Sequence, residues 1–178
     1  MNTTGFPIVV LMGPSGCGKT AVGRALAGQL RCRFVEGDDL HSPANVAKMR
    51  AGVALTDEDR RPWLDAIAAE IAVLDAGGAG GVVSCSALKH RYRLRLADAA
   101  PVMFVLPQVP HDVLVARVTA RAGHYMPSGL VASQLATLEP PVPGEDIVEV
   151  DGTLPIAALV ERVVAVLNER RSEAGPDP

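Results

Sequence analysis

The stretch Gly13-Pro14-Ser15-Gly16-Cys17-Gly18-Lys19-Thr20 admits few folds. The apolar run Ile8-Val9-Val10-Leu11-Met12 precedes it, and Ala21, Val22, Ala25, Leu26 and Leu30 follow at helical spacing. The stretch therefore reads as a tight loop between a strand and a helix. Its pattern, G-x-x-x-x-G-K-T, suits a chain wrapped around a phosphate. Glycines let successive backbone N–H groups point inward, and the helix N-terminus adds unpaired N–H groups and positive dipole charge. Lys19 can then reach the β- and γ-phosphates, and the Thr20 hydroxyl can take one Mg²⁺ position. Pro14 is compatible, since the loop does not need an N–H from every residue. A glycine-rich turn with a merely solvated lysine would leave the strand-helix context unexplained.

The rest of the chain extends this start into an α/β P-loop NTPase fold. Strands are expected at Arg33–Glu36, Val82–Cys85, Val102–Leu106 and Ile147–Val150, alternating with helices. That alternation calls for a five-stranded parallel sheet covered by helices on both faces, as in the nucleoside-monophosphate and shikimate kinases. Pro43–Arg50 reads as a short helix stopped by Gly52, and Thr56-Asp57-Glu58-Asp59 supplies the cap of a longer one. Pro62 is expected in that helix's first turn, where a missing N–H costs little. A basic helix should run from about Leu88 to Asp98. Residues of about 121–135, with glycines at 123 and 129, read as a mobile lid, and the tail from about 172 to 178 should fray. At 178 residues, without an internal repeat or linker, the chain suits one domain.

Composition removes several function classes. The formal net charge is −3, which argues against nucleic-acid binding by bulk electrostatics. No apolar run reaches the ~18 residues of a membrane span, and no leader pattern opens the chain. Cys17, Cys32 and Cys85 are scattered without CxxC spacing, so neither a disulfide framework nor a zinc site is expected and a reducing cytoplasm is the default.

The C-terminal ends of the strands share one sheet edge, and ligands bind along it. Beside the phosphate loop, that edge should carry Gly37-Asp38-Asp39, Ser86-Ala87-Leu88-Lys89 and Asp151-Gly152. Asp38 suits a base that accepts a hydroxyl proton; as an ordinary strand-end residue it would only cap the next turn. The third strand ends in Ser86 rather than an acid, so Mg²⁺ would rest on Thr20, phosphate oxygens and water, with Asp38 a candidate neighbour. Arg117 and Arg121 lie four apart on one helix face. They either form a solvated basic face or clamp ATP phosphates as the lid closes, with Arg121 in the arginine-finger position. His41, just beyond Asp38, suits a hydrogen-bond partner for a polar substrate. Arg60, Lys89 and Arg91 could each be a surface ion pair; together they point to an anionic acceptor.

Read together, these blocks resemble the gluconokinase family, small P-loop kinases that phosphorylate D-gluconate on its 6-hydroxyl with ATP. The resemblance runs from about Ile8 to Val166. It rests on Gly13–Thr20, Glu36-Gly37-Asp38-Asp39-Leu40-His41 and Leu55-Thr56-Asp57-Glu58-Asp59-Arg60-Arg61-Pro62-Trp63-Leu64. Further matches are Cys85-Ser86-Ala87-Leu88-Lys89, Gly123-His124-Tyr125-Met126, and Ser133-Gln134-Leu135 with Thr137-Leu138-Glu139-Pro140. It implies Asp38 as the residue that activates the hydroxyl, and His41, Arg60, Ser86 and Lys89 around the sugar acid. Arg60 and Lys89 are its candidates for the carboxylate, and Arg117 and Arg121 fall in the region covering ATP. A homodimer is also implied. Another P-loop small-molecule kinase, acting on shikimate or a nucleoside monophosphate, is the nearest alternative. A regulatory module that binds ATP without transferring its phosphate is the more distant one.

Overall fold

The computed structural model describes residues 6–120 and 129–173. Five strands, β1 (Ile8–Leu11), β2 (Arg33–Glu36), β3 (Gly81–Ser84), β4 (Val102–Gln108) and β5 (Ile147–Asp151), pair in parallel in the order β2-β3-β1-β4-β5. The chain from β1 crosses over β3 to reach β2, and the chain from β3 crosses over β1 to reach β4. β1 is therefore central, and its C-terminal end opens the crevice at which such sheets bind ligands. Register places Leu11 opposite both Ser84 and Val105, so the residues that follow them leave the sheet side by side.

Alternation along the strands divides the core into two layers. Val10, Met12, Val35, Val83, Cys85, Phe104 and Leu106 face one way. They pack on Trp63, Leu64, Ile67, Ile71 and Leu74 of α3 (Asp57–Ala76) and on Tyr92 and Leu96 of α4 (His90–Ala97). Val9, Leu11, Val82, Met103, Val105 and Val150 face the other way. There they meet Val22 and Leu26 of α1 (Lys19–Leu30) and Leu159, Val160, Val163 and Leu167 of α7 (Ile156–Glu173). With so few aromatic residues, branched aliphatic side chains do most of the filling on both faces.

The α3 N-terminus forms a capping box, the Thr56 side chain accepting from the Asp59 N–H while Asp59 accepts from Thr56. Counted from that cap, Pro62 stands in the second turn, not the first. Its ring forgoes a bond to the Glu58 carbonyl, and that exposed stretch leaves the carbonyl to water. The remaining helices are α2 (Pro43–Arg50), capped by Ser42, α5 (His111–Ala120) and α6 (Gly129–Thr137). Part of the segment expected as a lid is thus helical. α6 seats Val131 with Cys17, Leu114 and Val118, and Leu130 with Met49 and Leu55. Residues 121–128 and the tail beyond 173 lie outside the described residues. Among the described residues, no helix is long and apolar enough to cross a membrane.

Candidate active site

Three strand ends meet at the crevice and are tied together through the backbone. The Gly13 N–H donates to the Ser86 carbonyl at 3.0 Å, the Met12 N–H to Val105 at 2.8 Å, and the Cys85 N–H to Leu11 at 3.0 Å. The phosphate loop then turns through left-handed residues, Gly13, Gly16 and Gly18, with φ of 116°, 87° and 99°. Side chains other than glycine's rarely adopt these values, which accounts for the spacing. Lys19 opens α1, and its ammonium donates to the carbonyls of Gly13 at 2.9 Å and Pro14 at 3.0 Å, so it is already bent back over the loop. Thr20 occupies the first turn of α1. The Cys17 side chain points away from the loop's concave face, packs with Leu114, Val118 and Val131, and donates weakly to the Met12 carbonyl. Only its backbone is placed to meet a phosphate.

Beside the loop, β2 ends in a single 3₁₀ turn, Gly37–Leu40, that carries Asp38. Its position is fixed at Gly37. A Cβ there would stand 2.0 Å from the Ser84 carbonyl, so only glycine lets β2 and β3 approach this closely. The Gly37 N–H donates to the Ser84 hydroxyl at 3.0 Å, and that hydroxyl in turn donates to Glu36. The Gly37 carbonyl accepts from the Trp63 indole at 2.7 Å. Asp38 is thereby held on a rigid corner, while its neighbour Asp39 faces solvent.

A narrow cleft of about 30 Å³ joins these parts, lined by Ser15 and Lys19 of the loop, by Asp38 and His41, and by Arg60 and Ser86. Of the sequence-derived candidates, Lys19, Asp38, His41, Arg60 and Ser86 therefore share one site. Lys89 does not. Its ammonium is held by Asp57 at 2.9 and 3.2 Å, and Arg91 and Tyr92 also donate to that carboxylate. Lys89 was expected at the substrate carboxylate together with Arg60; here it pairs with Asp57 outside the cleft lining, whereas Arg60 lines the cleft and donates to the Leu55 carbonyl. Hydrogen bonds from Tyr92, Lys89 and Arg91 hold Asp57 well below the usual carboxylate range.

His41 stacks on Trp63 with ring centroids 4.2 Å apart, and its Nδ1 is buried with no hydrogen-bond partner among the described residues. Burial pulls its pKa down to about 4, with Asp38 opposing and Arg60 assisting, so the ring is neutral near pH 7. His41 lines the cleft, and its buried Nδ1 is closed to a ligand until the cleft widens. The depressed pKa also has a consequence for folding. The unfolded chain binds a proton at about 6.5 that the folded chain refuses, so stability falls as pH drops from about 6.5 towards 4. Because His41 is partly exposed, the effect is on the order of 1 kcal/mol. His41→Gln should flatten this limb in urea melts across that range; an unchanged slope would assign it to other groups.

On the other side of the loop a larger cavity, about 390 Å³, is lined by Gly16, Gly18, Arg117, Gly152 and Leu159. Arg117 was expected either on a solvated basic face or clamping ATP phosphates. Instead its guanidinium donates to the Gly16 carbonyl at 3.3 Å and doubly to the Gly152 carbonyl at 3.1 Å. It braces the loop against the β5–α7 turn and lines the cavity. Arg121 lies outside the described residues. A third cavity of about 320 Å³, between α3 and α4 near Arg61 and Arg95, contains no phosphate-loop residue and is separate from this chemistry. Cys85, buried behind the cleft, has its thiol pushed up to about 12 by burial and is inert.

Sequence comparison addresses which acceptor such a site serves. A family model described as an AAA domain matches residues 8–141. The gluconokinase of Gluconobacter oxydans (strain 621H) is 43% identical over 157 residues, covering 88% of this chain and 88% of that protein. The chain belongs to the gluconokinase family. A solved gluconokinase structure from Sinorhizobium meliloti 1021 superposes with a TM-score of 0.84 at 43% identity, covering 96% of this chain and 97% of that one. The shikimate kinase of Aquifex aeolicus vf5, at 15% identity and a TM-score of 0.60, shares the fold alone. The gluconokinase family thus accounts for the blocks around Asp38, Arg60 and Ser86 better than the other small-molecule kinases do.

Sequence reasoning passed over two features of this region. Arg93, read as one charge of a basic helix, is buried at 1% exposure. Gln134, quoted only as part of a motif, lines the cleft and reaches the loop.

Proposed function

We propose that the chain transfers the terminal phosphoryl group of ATP to the 6-hydroxyl of D-gluconate. The observation that carries this reading is the cleft that brings Ser15 and Lys19 of the phosphate loop against Asp38 and Arg60, in a member of this family. The large cavity beside Arg117 fits the purine and ribose, with the triphosphate running over the loop N–H groups towards Ser15. Arg60 serves the acceptor's carboxylate, and the neutral His41 its hydroxyls.

The donor set also fits Mg²⁺. The Thr20 hydroxyl in the first turn of α1, phosphate oxygens and water would hold it, with Asp38 on the adjoining cleft wall. Such hard, mostly hydrated coordination suits that ion, and its charge offsets that of the phosphates when bound. In the transfer itself, the acceptor hydroxyl oxygen bonds to the γ-phosphorus. The bond from that phosphorus to the bridging oxygen breaks, ADP leaves with the electron pair, and Asp38 takes the hydroxyl proton. Lys19 and the loop amides stabilise the migrating charge, so positioning and electrostatics supply most of the acceleration.

The cleft as it stands holds about two waters, not a six-carbon acid. Admission of the acceptor therefore requires a neighbouring element to move. The deciding measurement is ADP release with Mg-ATP in the presence of D-gluconate, shikimate, glucose or no acceptor. Release stimulated by gluconate alone is expected. Equal release with shikimate, or release independent of any acceptor, would overturn the assignment.

A further inference from the structure

Gln134 ties α6 to the phosphate loop. Its side-chain Oε1 accepts from the Ser15 N–H at 2.8 Å, across 119 positions of sequence. Ser15 occupies a telling place: it is a loop residue on the acceptor cleft, whereas Gly16, Cys17 and Gly18 line the nucleotide cavity. A phosphoryl group passing from one side to the other passes Ser15. Its N–H can only donate, so the Gln134 amide must present oxygen to it and turn its NH₂ the other way. The helix that carries Gln134 is seated on both halves of the site. Val131 and Leu135 pack with Cys17 of the loop, and Leu130 packs with Met49 and Leu55 on the acceptor side.

We propose that Gln134 is a γ-phosphate sensor. Its carboxamide oxygen holds a loop N–H of the kind that binds phosphate oxygens. When ATP brings a γ-phosphate there, that oxygen, negatively polarised, is repelled, and the amide turns to donate its NH₂ to the transferring phosphoryl group. The two ends of a carboxamide are nearly the same size, so the exchange needs only rotation of the terminal torsion. The sensor rests on the kinase reading above and extends it: α6 would respond to the nucleotide's third phosphate while its other face bears on the acceptor side.

Gln134→Glu discriminates this from a merely structural bond. A carboxylate keeps the shape and accepts from Ser15 at least as well, but it cannot become a donor and repels the γ-phosphate. Calorimetric titration with Mg²⁺ and no acceptor should show ADP affinity within about twofold of the parent and ATP affinity weakened about tenfold or more. Equal changes for the two nucleotides, or none, would overturn the proposal. Gln134→Leu is the second variant. It should bind ATP within about threefold of the parent, yet lose about tenfold or more in kcat with gluconate; a kcat within about twofold of the parent would also overturn it. The outcomes separate cleanly from those for the acceptor. A parent protein inactive on gluconate would sink the kinase assignment, while the ATP-to-ADP affinity ratio of Gln134→Glu would still report on the sensor.

Discussion

Asp38→Asn is expected to lower kcat by about 10²–10⁴ while leaving ATP affinity close to that of the parent. Asparagine has the same shape, so the 3₁₀ turn fixed by Gly37, Ser84 and Trp63 should persist. What disappears is a carboxylate able to accept the hydroxyl proton. The nucleotide cavity does not include Asp38, so binding of ATP has no reason to change. The magnitude should fall towards the lower end of the range. Phosphoryl transfer has a loose transition state in which the new bond is barely formed and the acceptor proton has moved little. A steady-state series in gluconate at saturating ATP, with separate ATP titrations, measures both quantities. Near-normal turnover would remove Asp38 as the proton acceptor, and a parallel loss of ATP binding would show that the substitution had disturbed the loop.

The residues of that experiment were legible in sequence because their geometry is local. Strand, glycine loop and helix lie consecutively in Ile8–Leu30, and the φ values of Gly13, Gly16 and Gly18 follow from the loop's own curvature. Asp38 was legible for a related reason: it follows a strand directly, and all strand ends in a parallel sheet share an edge. Lys89 marks where this reasoning stops. It too follows a strand end, but its ammonium is taken by Asp57, 32 positions earlier on the start of α3. That pairing depends on how α3 and α4 pack, which no spacing within either helix encodes. The bonds of Arg117 are hidden in the same way, since its partners Gly16 and Gly152 lie in separate turns brought together by the sheet. α6 was read as part of a lid because hinge-forming glycines, at 123 and 129, open that stretch. Its helix is stabilised by contacts from Cys17, Met49 and Leu55, all distant in sequence.

Arg93→Ala should cost about 3–5 kcal/mol of folding stability, a large share of the roughly 5–15 kcal/mol typical of a domain. Arg93 and Glu145 are 1% and 7% exposed and meet through two bonds, Nε to Oε1 at 2.6 Å and Nη2 to Oε2 at 2.9 Å. The guanidinium also donates to the carbonyls of Glu139 at 3.1 Å and Pro140 at 3.3 Å, within the connection from α6 to β5. Removing it leaves a buried carboxylate and three carbonyls, that of Leu88 at 3.4 Å included, without their cationic donor. Burial alone would raise the Glu145 pKa; Arg93, the Val142 N–H and His90 outweigh it and hold it at about 2. The carboxylate's contribution is therefore present above about 4.5 and lost as pH falls towards 2. In Arg93→Ala that acid limb should vanish or invert, because burial then dominates. Urea midpoints at pH 7, 4.5 and 3 test both statements, the last interval isolating the carboxylate's limb, and midpoints equal to the parent's throughout would refute them. Arg93→Met paired with Glu145→Leu should recover part of the loss, since neither charge is then stranded. Recovery should stop short of the parent, because the Glu139 and Pro140 carbonyls still lack a donor. Those carbonyls lie just beyond α6, so the variant that loosens them should also weaken the hold of Gln134 on Ser15. A kinetic defect would then appear in the double variant even where its stability is partly restored.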